Sequence, residues 1–267
     1  MTNGLRYAAN CSLLFTEAPL LERPARAAAA GFGAIEFWWP WPDTAVPADK
    51  DVDAFVAAVR DAGVDLIGLN FFAGQLTGPD CGAVSVPAFS GQFRENIDVV
   101  VDIAKQLGIP AFNALYGNRI DGVDPQAQDE LATENLQRAA DAVAGIGGTV
   151  LVEPVSGPKP YPLRTAADVI AVIDRVGSPN LGFLCDLFHL ANNGDNLAAA
   201  LDAYAGRIAH VQIADCPGRH EPGTGDLDLN HYLGRIADAG YTGYVAAEYI
   251  PSTTTEESLG WFTPATH

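Results

Sequence analysis

Four residues, Glu153, Asp186, Gln212 and Glu248, each stand at or near the end of an apolar run, and they recur at intervals of 33, 26 and 36 residues. The runs read Leu151-Val152-Glu153-Pro154, Phe183-Leu184-Cys185-Asp186, His210-Val211-Gln212 and Val245-Ala246-Ala247-Glu248. Each interval is close to the length of one strand–helix unit, roughly 30 residues. Three carboxylates and one amide oxygen brought to one place make an all-oxygen ligand set, which suits a hard divalent cation such as Mg²⁺ or Mn²⁺. Without a cation the like charges repel and raise one another's pKa. Taken singly, each residue has an ordinary explanation, as a helix cap, an ion-pair partner or a hydrogen-bonded amide. The set at repeat spacing points instead to a metal site, because buried strand ends rarely carry unpaired charges.

Other residues could join them. His189 follows Asp186 by three positions and could face the same site or serve as a structural histidine. Arg219 opens the segment Arg219-His-Glu-Pro-Gly-Thr-Gly-Asp226, whose glycines permit unusual backbone angles, and its fork suits a substrate carboxylate. The same segment would also serve as a surface turn. Trp38, Trp39 and Trp41 cluster after one apolar run and could wall a pocket or pack in the core. Asn10, Asn70 and Asn113 also lie near run ends. Gly145-Ile-Gly-Gly precedes a strand rather than opening a helix, so it is no dinucleotide fingerprint, and GxxxxGK[ST], GxSxG and HExxH are absent.

The elements needed to position these groups follow a regular rhythm. Strands are predicted at 5–11, 34–38, 64–70, 111–115, 149–153, 181–185, 208–214 and 243–248. Helices are predicted at 18–30, 52–62, 91–107, 125–144, 166–176, 197–204 and 229–239, with an eighth helix or a degenerate tail after Glu248. Several helical runs stop at a glycine, as at Gly31, Gly63 and Gly108. Eight strands alternating with helices in about 250 residues predict an α/β fold of (β/α)8 TIM-barrel type, in which catalytic groups gather where the strands exit. A doubly wound sheet usually has fewer strands and a phosphate loop after the first. No linker or composition shift divides the chain, so residues 1–267 are expected to form one domain.

Composition excludes several partners. The chain carries 15 Lys and Arg against 33 Asp and Glu, a formal charge of −18. That balance disfavours nucleic acid and anionic membrane surfaces, both of which are bound through clustered basic residues. No secretory leader and no run of 18 apolar residues is visible, and Cys11, Cys81, Cys185 and Cys216 form no CxxC pair. A cytoplasmic protein with reduced thiols is expected, acting on a small molecule; homo-oligomerisation stays open.

Six stretches resemble the hydroxypyruvate isomerase family, within the xylose-isomerase-like TIM-barrel group: Ala8-Ala-Asn-Cys-Ser-Leu-Leu-Phe-Thr-Glu, Val152-Glu-Pro, Asp186-Leu-Phe-His, Gln212-Ile-Ala-Asp, Arg219-His-Glu-Pro-Gly-Thr-Gly and Glu248-Tyr-Ile-Pro-Ser-Thr-Thr-Thr-Glu. The resemblance spans about residue 5 to Trp261. It implies a single xylose-isomerase-like barrel and a divalent-metal site of Glu153, Asp186, Gln212 and Glu248. It also implies Glu153 and Glu248 as the acid/base pair, and His189 and Arg219 as substrate-binding residues. Related ketose 3-epimerases usually carry His at the third metal position, so Gln212 points to the hydroxypyruvate isomerase branch. The activity implied belongs to carbohydrate metabolism: hydroxypyruvate to 2-hydroxy-3-oxopropanoate through an enediolate.

The chain departs from the family's usual pattern at Val155-Ser-Gly-Pro-Lys-Pro-Tyr-Pro-Leu, at Ile250 and at Asp226. These are loop positions that would read the substrate. A 2-oxo-tetronate isomerase or a ketose 3-epimerase on the same site therefore stays open, as does a non-catalytic sugar- or acid-binding barrel. A metal-dependent endonuclease on the same barrel is disfavoured by the −18 charge.

Overall fold

The computed structural model describes residues 4–264, and these close eight parallel strands into a barrel in chain order. The strands are β1 (Arg6–Asn10), β2 (Ala34–Phe37), β3 (Asp65–Asn70), β4 (Ala111–Asn113), β5 (Thr149–Val152), β6 (Leu181–Asp186), β7 (Ile208–Ile213) and β8 (Tyr244–Ala247). Pairing of β1 with β8, in register from Arg6 and Tyr244 to Ala9 and Ala247, completes the ring. The helices are α1 (Arg23–Ala29), α2 (Asp49–Ala62), α3 (Ser90–Leu107), α4 (Pro125–Ala144), α5 (Ala166–Val176), α6 (Leu187–Asn192), α7 (Leu197–Tyr204), α8 (Leu229–Asp238) and α9 (Thr255–Ser258). The predicted TIM barrel is thus the observed one. Among the described residues, no helix is long and apolar enough to cross a membrane.

Local chemistry sets the helix limits. Thr165 and Asp168 form a capping box at the start of α5, and Asp124 accepts from the backbone of Gln126 where Pro125 opens α4. Such caps are worth about 1 kcal/mol each. Gly108 ends α3 in the left-handed region, at φ 73°. Two differences from the sequence reading stand out. Residues 20–22 form a separate turn of 3-10 helix before α1, where Pro24 sits in the first turn of the α-helix. The six-residue α6 directly follows β6, because Asp186 caps it by accepting from the backbone N–H of His189 at 2.9 Å.

The period of two along each strand decides what faces the site. Val150, Val152, Phe183, Cys185, Val211, Ile213, Val245 and Ala247 belong to the main core, packed outward under the helices. The intervening residues fill the lumen, with Ala8, Ala34, Ile67 and Ala246 in one cluster and Ala111, Leu151 and Leu184 in another. Two residues further on, the same parity brings Asn10, Glu36, Asn113, Glu153, Asp186 and Glu248 to the upper lumen and mouth; in β7 it aligns His210 with Gln212. All of these are buried. Small alanines below therefore leave room for a polar layer above.

Candidate active site

The six residues singled out from sequence come to the C-terminal mouth of the barrel. Glu153 directly follows β5, Asp186 ends β6, Gln212 lies in β7 and Glu248 directly follows β8. His189 lies in α6, and Arg219 lies in the loop between β7 and α8. Glu153, His189, Arg219 and Glu248 line one cavity of about 150 Å³, partly open to solvent, together with Trp38, Leu76, Cys81, Leu115, Lys159 and others. Asp186 and Gln212 lie beside it, in register with each other across β6 and β7.

Each carboxylate is tethered. Asn113 Nδ2 donates to Glu153 Oε1 at 2.6 Å, and Trp38 Nε1 donates to Glu248 Oε1 at 2.5 Å. Arg219 Nη2 approaches Glu248 Oε2 at 3.3 Å while its guanidinium lies 5.5 Å from the Phe188 ring centre. Burial and the neighbouring Asp186 push the Glu153 carboxyl up to about 8. Burial also raises Asp186, to about 6, against the pull of Arg219 and of backbone N–H groups. Glu248 is held well above the usual carboxylate range by burial and by Asp186 and Glu153, although Arg219 opposes the shift. The mouth therefore crowds buried carboxyl groups that resist ionising together, and a cation among them would favour their charged forms.

A buried glutamate beneath the mouth behaves in the opposite way. Glu36 Oε1 accepts from Asn10 Nδ2 at 2.8 Å and from Gln212 Nε2 at 2.6 Å, and Glu36 Oε2 lies 2.7 Å from His210 Nε2. Burial works to raise its pKa, but His210 and the two amides outweigh it and keep Glu36 below the usual range. The contact also fixes Gln212: its nitrogen end is turned to Glu36, and its buried Oε1 has no hydrogen-bond partner. An orphaned buried oxygen beside a carboxylate cluster is what a metal ligand looks like before the metal is considered. Asn113 Oδ1 is likewise buried and unpartnered.

His189 has its own constraint. The backbone N–H of Ser156 donates to Nδ1 at 3.0 Å. Burial and the nearby Arg219 hold its pKa well below the usual value, so the ring is neutral. A neutral ring whose Nδ1 accepts must carry its hydrogen on Nε2, 3.8 Å from Asp186 Oδ2. Glu153, Asp186 and His189 offer ligand atoms within 4.8 Å of one another and could hold a metal ion. In this tautomer, however, Nε2–H is a hydrogen-bond donor towards the cavity, which suits a substrate oxygen.

The loop carrying Arg219 is wound around Asp215. Asp215 Oδ1 accepts from the backbones of Cys216 and Leu227, and Oδ2 accepts from Gly223. A Cβ at Gly225 would lie 2.6 Å from Asp215 Oδ1 and from the Cys216 carbonyl, so this position requires glycine. Ile250 N–H donates to the Arg219 carbonyl at 2.7 Å, and Ser252 N–H donates to Glu221, which tie this loop to the one after β8. Of the three tryptophans, Trp38 lines the cavity, whereas Trp39 and Trp41 pack edge-on together and Trp41 packs against Phe55. Sequence reasoning passed over Glu36 and His210 as site neighbours, and reached Lys159 only as part of a loop expected to read the substrate.

Comparison with known proteins settles the family. A model of the xylose isomerase-like TIM barrel family matches residues 24–265. A Streptomyces coelicolor protein named "Putative hydroxypyruvate isomerase" is 54% identical, covering 96% of this chain and 95% of its own. This chain belongs to the hydroxypyruvate isomerase family of xylose isomerase-like TIM barrels. It is also 30% identical to the hydroxypyruvate isomerase of Escherichia coli, over 97% of this chain and 99% of that one. The 2-oxo-tetronate isomerase of Haemophilus influenzae is 31% identical, over 96% and 98%. A crystal structure described as AP endonuclease, family 2, from Brucella melitensis superposes with a TM-score of 0.89 at 32% identity, covering 98% of this chain and all of that one.

Proposed function

We propose that this barrel is a metal-dependent isomerase of small hydroxy-oxo acids, with hydroxypyruvate and 2-hydroxy-3-oxopropanoate as its pair. The observation that carries the reading is the pairing of two tethered, buried glutamates, Glu153 and Glu248, across one cavity with an unpartnered amide oxygen at Gln212 beside Asp186. Glu153, Asp186, Gln212 and Glu248 would hold a divalent ion, Mg²⁺ or Mn²⁺ by the hardness of an all-oxygen set. When bound, such an ion acts as a Lewis acid and favours the ionised form of its carboxylates.

The residues of the chain supply the rest. One glutamate takes a proton from C3 of hydroxypyruvate, giving an enediolate, and a carboxyl group returns a proton to C2, while the C3 hydroxyl proton passes to the C2 oxygen; the C3–H and O3–H bonds break and C2–H and O2–H bonds form. Asn113 keeps one oxygen of Glu153 engaged and leaves the other for the substrate, whereas Glu248 holds Trp38 on Oε1 and Arg219 on Oε2, so Arg219 must yield when Glu248 takes or gives a proton. His189 Nε2–H donates to a substrate oxygen, and Arg219 stabilises negative charge next to Glu248. Trp38 and Leu115 form apolar walls that limit water.

An endonuclease activity like that named for the Brucella protein is disfavoured here, because a formal charge of −18 with 15 basic residues opposes a phosphate backbone. The relatives named 2-oxo-tetronate isomerase make the four-carbon acids the second substrates to assay. Purified protein is incubated with hydroxypyruvate and with 2-oxo-tetronates, before and after chelation. Isomerisation that is lost on chelation and restored by Mg²⁺ or Mn²⁺ is expected. Full activity in metal-stripped protein, or no turnover of any hydroxy-oxo acid, overturns the proposal.

A further inference from the structure

The cavity is lined by a cation that family resemblance did not supply. Lys159 lies in the β5–α5 loop, in the stretch Val155-Ser-Gly-Pro-Lys-Pro-Tyr-Pro-Leu where this chain departs from its family's usual pattern, and it lines the same cavity as Glu153, Arg219 and Glu248. Its Nζ donates to two main-chain carbonyls of the loop after β3, those of Leu76 at 2.9 Å and Asp80 at 2.5 Å. An ammonium has three donors, so one remains. No ion pair joins Lys159 to a carboxylate among the described residues. Carbonyl dipoles therefore hold the charge in place without neutralising it.

The loop on either side is anchored. The Pro160 carbonyl accepts from Arg119 N–H at 2.9 Å, and the Tyr161 hydroxyl receives the backbone N–H of Tyr116 at 3.0 Å. The ammonium is thus presented from a fixed frame rather than from a free surface side chain. Lys159 and Arg219 both act on the Cys81 thiol, as does Glu153, which puts the two cations within electrostatic range of one point on the cavity wall.

We propose that Lys159 is the specificity-determining residue that receives the carboxylate of the substrate. The inference rests on the hydroxy-oxo acid reading above and deepens it. Charge balance makes the need concrete: three ionised carboxylates are offset by a divalent ion and Arg219, which leaves no positive charge for an anionic substrate. Arg219 is already engaged with Glu248. Lys159 supplies the missing charge, and it explains how a strongly acidic protein accepts an acid rather than a neutral sugar.

The test compares hydroxypyruvate with dihydroxyacetone, which carries CH2OH in place of the carboxylate. Wild type is assayed first; if it isomerises no hydroxy-oxo acid, the reading of function fails, independently of Lys159. In Lys159→Met, which keeps the apolar stem, KM for hydroxypyruvate should rise about 10- to 100-fold, the scale of one charge-assisted hydrogen bond. Its kcat should change little, and inhibition by dihydroxyacetone should stay within about two-fold of wild type. Lys159→Arg should recover most of the lost affinity. An unchanged KM for hydroxypyruvate overturns the proposal, and so does an equal loss of affinity for the acid and the neutral compound, which would mark Lys159 as only a loop clamp.

Discussion

The amide nitrogen of Gln212 lies 2.6 Å from Glu36 Oε1, and this contact decides what the other end of the side chain can do. With the nitrogen committed to a carboxylate, Oε1 is left buried and unpartnered. Glu36 is thus a positioning residue one layer beneath the mouth.

Glu36→Gln should free that orientation, since a neutral amide at position 36 can accept either end of Gln212. Groups behind metal ligands typically govern affinity by 10–100-fold. Titration calorimetry with Mn²⁺ should show weakening of about that size, with the circular dichroism spectrum unchanged. Wild-type affinity in a folded variant would remove Glu36 from this role.

Stability of the metal-free protein should fall as pH rises. Glu153, pushed up to about 8, and Asp186, pushed up to about 6, have higher pKa values folded than unfolded. The protonated forms therefore favour the fold, fully so below the ordinary carboxylate range, and this contribution is lost as pH climbs through about 6 and then 8. A bound divalent ion favours the ionised forms instead. Thermal melts from pH 5 to 8 should show Mg²⁺ or Mn²⁺ raising Tm more at the upper end; a shift independent of pH would contradict the electrostatic account.

Glu153→Gln and Glu248→Gln should each lower kcat by at least about 100-fold, the lower end of what a general acid or base contributes. Trp38→Phe, which removes the donor to Glu248 and trims the cavity wall but keeps an aromatic ring, should cost less, about 10-fold. Hydroxypyruvate assays on all three, with near-ultraviolet spectra as a folding control, check this ordering. Turnover in deuterium oxide should place deuterium at C2 of the product; its absence would favour a hydride shift over proton transfer.

Gly225→Ala should disturb the Arg219 loop rather than the barrel. Its methyl would meet Asp215 and the Cys216 carbonyl at 2.6 Å, and such overpacking costs about 1–3 kcal/mol. A lower Tm together with a raised KM is expected, and an unchanged KM would separate the loop from substrate binding.

The barrel was legible in the sequence because each βα unit announced itself by an apolar run, a helical pattern and often a glycine stop. The four strand-end residues were legible for the same reason. Glu36 carried a usable signal that went unread: it lies two residues after Ala34, as Asp186 lies two after Leu184 and Gln212 two after His210, so all share the lumen parity. Its partner His210 is 174 residues away, and only closure of the ring brings them together. Helix α6 was missed because Leu187-Phe188-His189-Leu190 is apolar enough to continue a strand, and the Asp186 cap that turns it is a three-dimensional fact. Lys159 lay in a loop expected to read the substrate, but no motif singled it out; only the fold puts its side chain on the cavity wall.

The Glu36 layer also constrains how this barrel can change its trade. The family resemblance implies that ketose 3-epimerases usually carry histidine where this chain has Gln212, one of the four ligands proposed for a metal. An imidazole at position 212 would have to present one nitrogen to the proposed metal and meet Glu36 and His210 with the other edge, in a space now filled by an amide. Glu36, His210 and Gln212 are therefore coupled positions, and a laboratory conversion of one enzyme type into the other must start one floor below the active site.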